Sequence, residues 1–167
     1  MSDAQAGQAI IRRIRPEEVE TICDIAVRAW EPVFAEFRRR MGDEMFEAKH
    51  AGWRENKAQQ VRWHAQNYPQ WVIVTELGGQ VVGFLTYRLK EPEGFGEIGN
   101  NAVDPDFQGR GLGAAQCAQA LDLFREAGMK YAEVVTGLDD SHAPARAMYE
   151  RVGFAQTWAS VMYTRTL

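Results

Sequence analysis

Three glycines in five residues, Gly109-Arg110-Gly111-Leu112-Gly113, separate an apolar, strand-like segment from an amphipathic stretch that begins at Leu112. Glycine supplies left-handed conformations and lets the main chain come close to a ligand. The first amides of a helix have no intrahelical acceptor, and the helix dipole favours an anion beside them. A strand–glycine loop–helix unit therefore reads as a seat for a phosphate or pyrophosphate. A turn with no ligand needs fewer glycines.

The same segment fits Gly-x-Gly-x-x-Ala at Gly109, Gly111 and Ala114, with Glu133 about twenty residues on, as in a dinucleotide fingerprint. That turn follows its strand directly, whereas Asp104-Pro105-Asp106-Phe107 intervenes here. A nucleotide-dependent oxidoreductase is thereby disfavoured. A nucleoside-triphosphate loop would need Gly-Lys-Ser/Thr, and none follows.

Around the loop, periodicity gives a coarse element order. Gln8 to Ile14 reads as a short strand, and residues 1–8 as a loose tail. Pro16-Glu17-Glu18 opens a helix, with Pro and acids suited to its first turn, and Pro32 breaks or kinks it. Phe34 to His64 is helical in two pieces around Gly42 and Gly52. Trp71–Glu76 and Val81–Leu89 form a hairpin through Leu77-Gly-Gly-Gln80, and Glu97 to Val103 is a further strand. Leu112 to Ala127 is a helix ended by Gly128, Tyr131 to Thr136 a strand, and Pro144 to Arg151 a helix followed by Gly153. Phe154 to Leu167 alternates enough for one or two last strands. This order is α+β in character, with a mixed sheet and a central strand–loop–helix unit, in one domain over residues 9–167.

Asn101-Ala-Val-Asp-Pro-Asp-Phe-Gln-Gly-Arg-Gly-Leu-Gly113 resembles the signature of the GNAT superfamily of N-acetyltransferases, whose Gln/Arg-x-x-Gly-x-Gly/Ala is met by Gln108, Gly111 and Gly113. Pro144-Ala-Arg-Ala-Met-Tyr-Glu-Arg-Val-Gly-Phe154 resembles the family's second motif. The resemblance covers residues 10–167 and implies an α+β fold in α/β/α layers, with a mixed, mostly antiparallel central sheet of about 6–7 strands flanked by helices. It implies acetyl-CoA as cosubstrate, with the pyrophosphate on the amides of Gln108, Gly109, Arg110, Gly111, Leu112, Gly113 and Ala114. It implies that Asn101, Ala102 and Val103 pair with the pantetheine arm and supply an N–H to the thioester carbonyl. Tyr149 falls on the tyrosine that protonates the leaving thiolate; a packed tyrosine is the competing account. Glu97, six residues before Val103, stands where a carboxylate takes the amine's proton through water, or is an ordinary glutamate at a strand start. His142 replaces an Asn that helps hold the CoA arm, and is either its substitute, a proton relay or a helix cap.

The implied activity is acyl-CoA-dependent N-acylation, acetyl to a primary amine by direct attack. A non-catalytic CoA-binding sensor or interaction module on the same fold is the alternative. Trp30 and Phe34, flanking Pro32, are the residues expected to face the acceptor, a small-molecule or peptide amine. The net charge of −4, with Arg38-Arg39-Arg40 as the one basic run, disfavours nucleic acid. His50 and His64 lack a Cys or carboxylate pattern around them, so no metal site is expected. Cys23 and Cys117 sit in apolar helical patterns and imply buried thiols in a reducing, cytoplasmic setting, with no apolar run long enough to enter a membrane. An exposed last strand would allow a homodimer.

Overall fold

The computed structural model describes residues 8–167, so the expected tail falls, except for Gln8, outside the described residues. The chain runs β1 (Ile10–Arg13), α1 (Val19–Met41), α2 (Asp43–His50), α3 (Trp53–Asn67), β2 (Val72–Leu77), β3 (Gln80–Lys90), β4 (Phe95–Val103), α4 (Leu112–Glu126), β5 (Tyr131–Val134) and α5 (Ala143–Arg151). Short 3-10 turns precede α1, β2 and α5 and follow β4.

The strands form one sheet in sequence order, antiparallel from β1 to β4, with β5 parallel to β4. Alternation along β2 and β3 divides the core between two faces. Val72, Val74 and Phe84 pack with Ile22, Ala26, Ala58 and Val61 of α1 and α3. Ile73, Leu85, Tyr87 and Ile98 pack with Cys117, Ala120, Phe124 and Tyr149 of α4 and α5. The result is the α/β/α layering expected, with five strands among the described residues rather than 6–7.

Two expectations need correction. Pro32 lies inside α1, which continues to Met41. An interior proline costs about 3 kcal/mol. Packing offsets it: the first half of the helix is buried at Ile22, Cys23, Ile25 and Ala26, and beyond the proline Phe34 stacks on Trp53 at 4.0 Å. The last strands do not form. Phe154 packs beside Tyr149, but residues 155–167 join no ladder, and Trp158, Val161, Met162 and Tyr163 are exposed. Alternation proposes a strand; a hydrogen-bonding partner makes one.

Gly42 (φ 79°) and Gly52 (φ 69°) separate the three N-terminal helices where the sequence placed the breaks. Arg38 pairs with Asp43 and Glu47, and Arg39 and Arg40 with Glu36, so the basic run is a neutralised helix surface. No helix of the described residues is long and apolar enough to cross a membrane.

Candidate active site

The site is organised by a bulge in β4. Leu85 pairs with Asn101 and Tyr87 with Ile98, so Thr86 stands opposite both Gly99 and Asn100. The Thr86 hydroxyl accepts from the Asn100 backbone N–H (2.9 Å) and side-chain amide (3.0 Å). One extra residue resets the alternation. Ile98, Asn101 and Val103 face α4, while Gly99 and Asn100 line a cleft beside α3.

Past the bulge β4 also loses its second neighbour. Pairing with β5 stops at Ile98↔Val134, so Gly99 to Val103 keeps ladder partners only on the β3 side. β5 itself ends at Val134, which leaves the far side of β4 a free edge of main chain among the described residues. A fully paired sheet interior has no room for another extended chain; this edge does.

At the end of that edge stands the glycine loop. Gly109 and Gly111 take φ of 76° and 77°, a conformation that L side chains rarely adopt, and Gly111 is the N-cap of α4. Among the described residues the amides of Gly109, Arg110 and Gly111 donate to no backbone carbonyl, and those of Leu112, Gly113 and Ala114 lie in the first helical turn. Arg110 is exposed, its guanidinium 5.1 Å from the Phe107 ring centroid. Gln108 turns back to donate to the Val103 carbonyl at 3.0 Å. Arg28 of α1 ties the loop down through Asp104 (2.6 Å) and Asp106 (2.8 Å).

Gln116 fastens α4 to the sheet, and nothing in the sequence pattern marks it. It is wholly buried. Its amide donates to Asn101 Oδ1 (2.7 Å) and the Phe84 carbonyl (3.1 Å), and its oxygen accepts from Thr75 (2.7 Å). Asn101 in turn donates to the Gly113 carbonyl at 3.1 Å, so strand edge and helix start are held in one network.

Tyr149 lies buried on the α4 face, against Phe154 at a ring separation of 5.8 Å. Burial pushes its phenol well above the ordinary range, with Cys117 adding to this and the neighbouring Asn101 acting the other way. Tyr149 therefore keeps its proton at neutral pH. Burial also raises both cysteine thiols, to about 11. Such thiols are poor nucleophiles.

Glu97 lies on the opposite face, in a cleft of about 270 Å³ lined by Gln60, Trp63, His64, Thr86, Arg88, Gly99 and Asn100. Its carboxylate is 2.8 Å from Lys90, which also holds Glu133 at 2.6 Å. Trp30 does not line this cleft: its ring lies 3.6 Å from Nζ of Lys57, which in turn bonds the lining residues Gln60 and Asn100. Nor does Phe34: it sits among Phe37, His50 and Trp53 where α1, α2 and α3 meet. His142 is fixed rather than free, with Nδ1 2.8 Å from Asp139. Burial pushes the Asp139 carboxyl up, but hydrogen bonds from Ser141 and His142 outweigh it and leave the group below its ordinary value. Arg146 of α5 braces the loop by donating to the carbonyls of Gly137 (2.6 Å) and Asp139 (2.8 Å). The i,i+3 spacing of Asp139 and His142 was the one legible sign of this arrangement. Lys57, Asn100 and Thr86 carried none, because their neighbours come from distant segments. Among the described residues no group of three or more His, Cys, Asp or Glu could hold a metal ion.

The arrangement is a mixed sheet with a free β4 edge beside a glycine loop, and comparison with known proteins assigns its family. The chain belongs to the acetyltransferase (GNAT) family, whose model matches residues 19–154. It is 33% identical over 95 residues to mycothiol acetyltransferase of Thermomonospora curvata, covering 57% of this chain and 31% of that protein. It is 41% identical over 94 residues to the enzyme of that name from Beutenbergia cavernae, covering 56% and 30%. The chain thus spans about three-tenths of the length of these relatives. A GNAT family acetyltransferase from Brucella melitensis, solved in complex with acetyl-CoA, shares the fold with a TM-score of 0.60 at 22% identity, covering 89% of this chain and 84% of that one.

Proposed function

We propose that the chain transfers an acyl group, acetyl foremost, from a CoA thioester to an amine by direct attack in a ternary complex. The observation that carries this is the free β4 edge with a protonated phenol on one face and a carboxylate on the other. The two proton-transfer groups of the reaction are thereby kept on opposite sides of the reacting bond.

The residues present fit the cosubstrate. The unpaired amides at the start of α4 suit a pyrophosphate, and the edge from Gly99 to Val103 suits an extended amide-bearing arm. Bound acetyl-CoA would supply an activated carbonyl with a thiolate as leaving group. An unpaired N–H of β4 stabilises the negative charge that develops on the carbonyl oxygen. Glu97, through a water, takes the proton released as the amine nitrogen bonds to the acyl carbon. As the C–S bond breaks, its electron pair goes to sulfur, and Tyr149 donates a proton there. The products are an N-acyl amine and CoA. His142, held by Asp139, offers its other ring nitrogen to the same arm.

The test is thiol release from acetyl-CoA across a panel of amines. Turnover is expected, with Tyr149→Phe and Glu97→Gln lowering kcat on the order of 10²-fold and leaving acetyl-CoA affinity within about twofold. Saturable acetyl-CoA binding with no turnover on any amine would leave a CoA-binding module. Absence of binding by the folded protein would refute both.

A further inference from the structure

Two cations without a carboxylate partner among the described residues stand in or beside the cleft next to α3: Arg88, which lines it, and Lys57, held behind two of its lining amides. The acid of the cleft, Glu97, is already bound to Lys90. Arg88, exposed and lining the cleft, has no carboxylate within ion-pairing distance among the described residues. Lys57 has none either: Nζ donates to Asn100 Oδ1 (2.7 Å) and Gln60 Oε1 (3.0 Å) and rests over Trp30. All three partners are neutral, and both amides line the cleft. Burial lowers Lys57 to about 8, the behaviour of an ammonium without a counterion, yet one still mainly charged at pH 7. His64 also lines the cleft, 7% exposed, with no hydrogen-bond partner for its Nε2 among the described residues; burial and the nearby Arg88 lower its pKa, so it adds a polar atom to the opening rather than a charge.

A partly buried cation held only by amides and a ring is costly unless an anion completes it. The opening next to these groups is about 270 Å³, on the scale of a small metabolite. Glu97 lines the same opening, together with Gly99, where the unpaired edge of β4 begins.

From this we infer that the acceptor is a small amino-carboxylate, such as an amino acid, whose carboxylate is taken by Lys57 and Arg88 while its amine is presented to Glu97 and the β4 edge. The inference rests on the acyltransferase reading and adds the chemical class of its substrate. The bond changes are those already given: the amine nitrogen gains the acyl carbon and loses one proton, and the carboxylate is unchanged.

The test compares matched amines differing only in the carboxylate, L-leucine with isopentylamine and L-phenylalanine with phenethylamine, by thiol release from acetyl-CoA. O-Phosphoethanolamine serves as a phosphate-bearing control. The amino acids are expected to show at least about 10-fold higher kcat/KM. Lys57→Met is expected to raise KM for the amino acid about 10- to 100-fold, the scale of a lost charged hydrogen bond, with KM for acetyl-CoA within twofold. Arg88→Gln, at an exposed strand position where a polar side chain is tolerated, should act in the same direction. Equal kcat/KM within the pairs would overturn the inference and leave the transferase reading standing. So would preferential turnover of O-phosphoethanolamine. Acetylation of Lys57 by acetyl-CoA alone, read by intact mass and peptide mapping, would also overturn it, because Lys57 would then be an acceptor rather than an anion seat. A protein that binds acetyl-CoA but consumes neither kind of amine overturns both readings.

Discussion

Replacing Gln116 with Met keeps the length of a wholly buried side chain and removes its hydrogen bonds. Gln116 donates to Asn101, to the Phe84 carbonyl and more weakly to the Ala102 carbonyl (3.3 Å), and accepts from Thr75. Two amide protons serve three acceptors, so roughly three bonds count. Each contributes about 1 kcal/mol net, and a buried donor left without an acceptor costs about 1–3 kcal/mol. Thr75 is fully buried and becomes such a donor, whereas Asn101 is partly exposed and can turn to water. The expected loss is about 2–4 kcal/mol, or roughly 5–15 °C in Tm for a domain of this size. Thr75→Val in the Gln116→Met background removes the orphaned hydroxyl, so the double variant should regain about 1–2 kcal/mol over the sum of the singles. Urea unfolding followed by tryptophan fluorescence measures all three. A Gln116→Met protein within 0.5 kcal/mol of wild type, or strictly additive singles, would refute the view that this network holds α4 on the sheet. Gly83 supplies a cross-check: a Cβ there would collide with Gln116 Oε1 and the Ala102 carbonyl oxygen, so Gly83→Ala should destabilise, and less so beside Gln116→Met.

Gly111→Ala forces φ 77° on a residue with a side chain, costing about 1–2 kcal/mol; calorimetry should show acetyl-CoA affinity falling with it, and unchanged affinity would mean the loop amides do not hold the phosphates. Lys57 gives a pH signature. Its folded value of about 8 lies below the ordinary lysine value near ~10.4, so between these the unfolded chain binds a proton that the folded chain has released. Stability should therefore rise with pH through that window, by at most about 3 kcal/mol relative to Lys57→Met, and parallel curves for the two proteins would refute the assignment. The exposed Trp158, Val161 and Tyr163 lie on a chain segment without a ladder, in a protein whose β5 has one unpaired edge. Sedimentation is expected to show a dimer that Val161→Ser with Tyr163→Ser converts to monomer, and a monomeric wild type would refute this.

Much of the fold was legible because it depends on local chemistry. Gly42, Gly52, Gly109, Gly111 and Gly128 all take positive φ, and each stands where the pattern placed a break, loop or cap. The hairpin through Gly78 and Gly79 and the strand–loop–helix unit lie close to their expected boundaries. What failed locally failed for non-local reasons. Pro32 should end a helix on its own merits, but the aromatic contacts of Phe34 come from another helix. Residues 155–167 alternate like a strand and find no neighbour to pair with.

The amino-acid sequence by itself therefore determined the glycine loop, the order of the elements and the positions of Tyr149 and Glu97 along the chain, since glycine conformations and apolar periods are properties of adjacent residues. Only the tertiary structure decided which face each group occupies. A single bulged residue in β4 turns Asn100 toward Lys57 and Asn101 toward Gln116, while strand pairing and helix packing bring His64, Arg88 and Glu97 from a helix and two strands to one cleft. Register and pairing set that arrangement, and both are fixed by contacts between segments that no local pattern encodes.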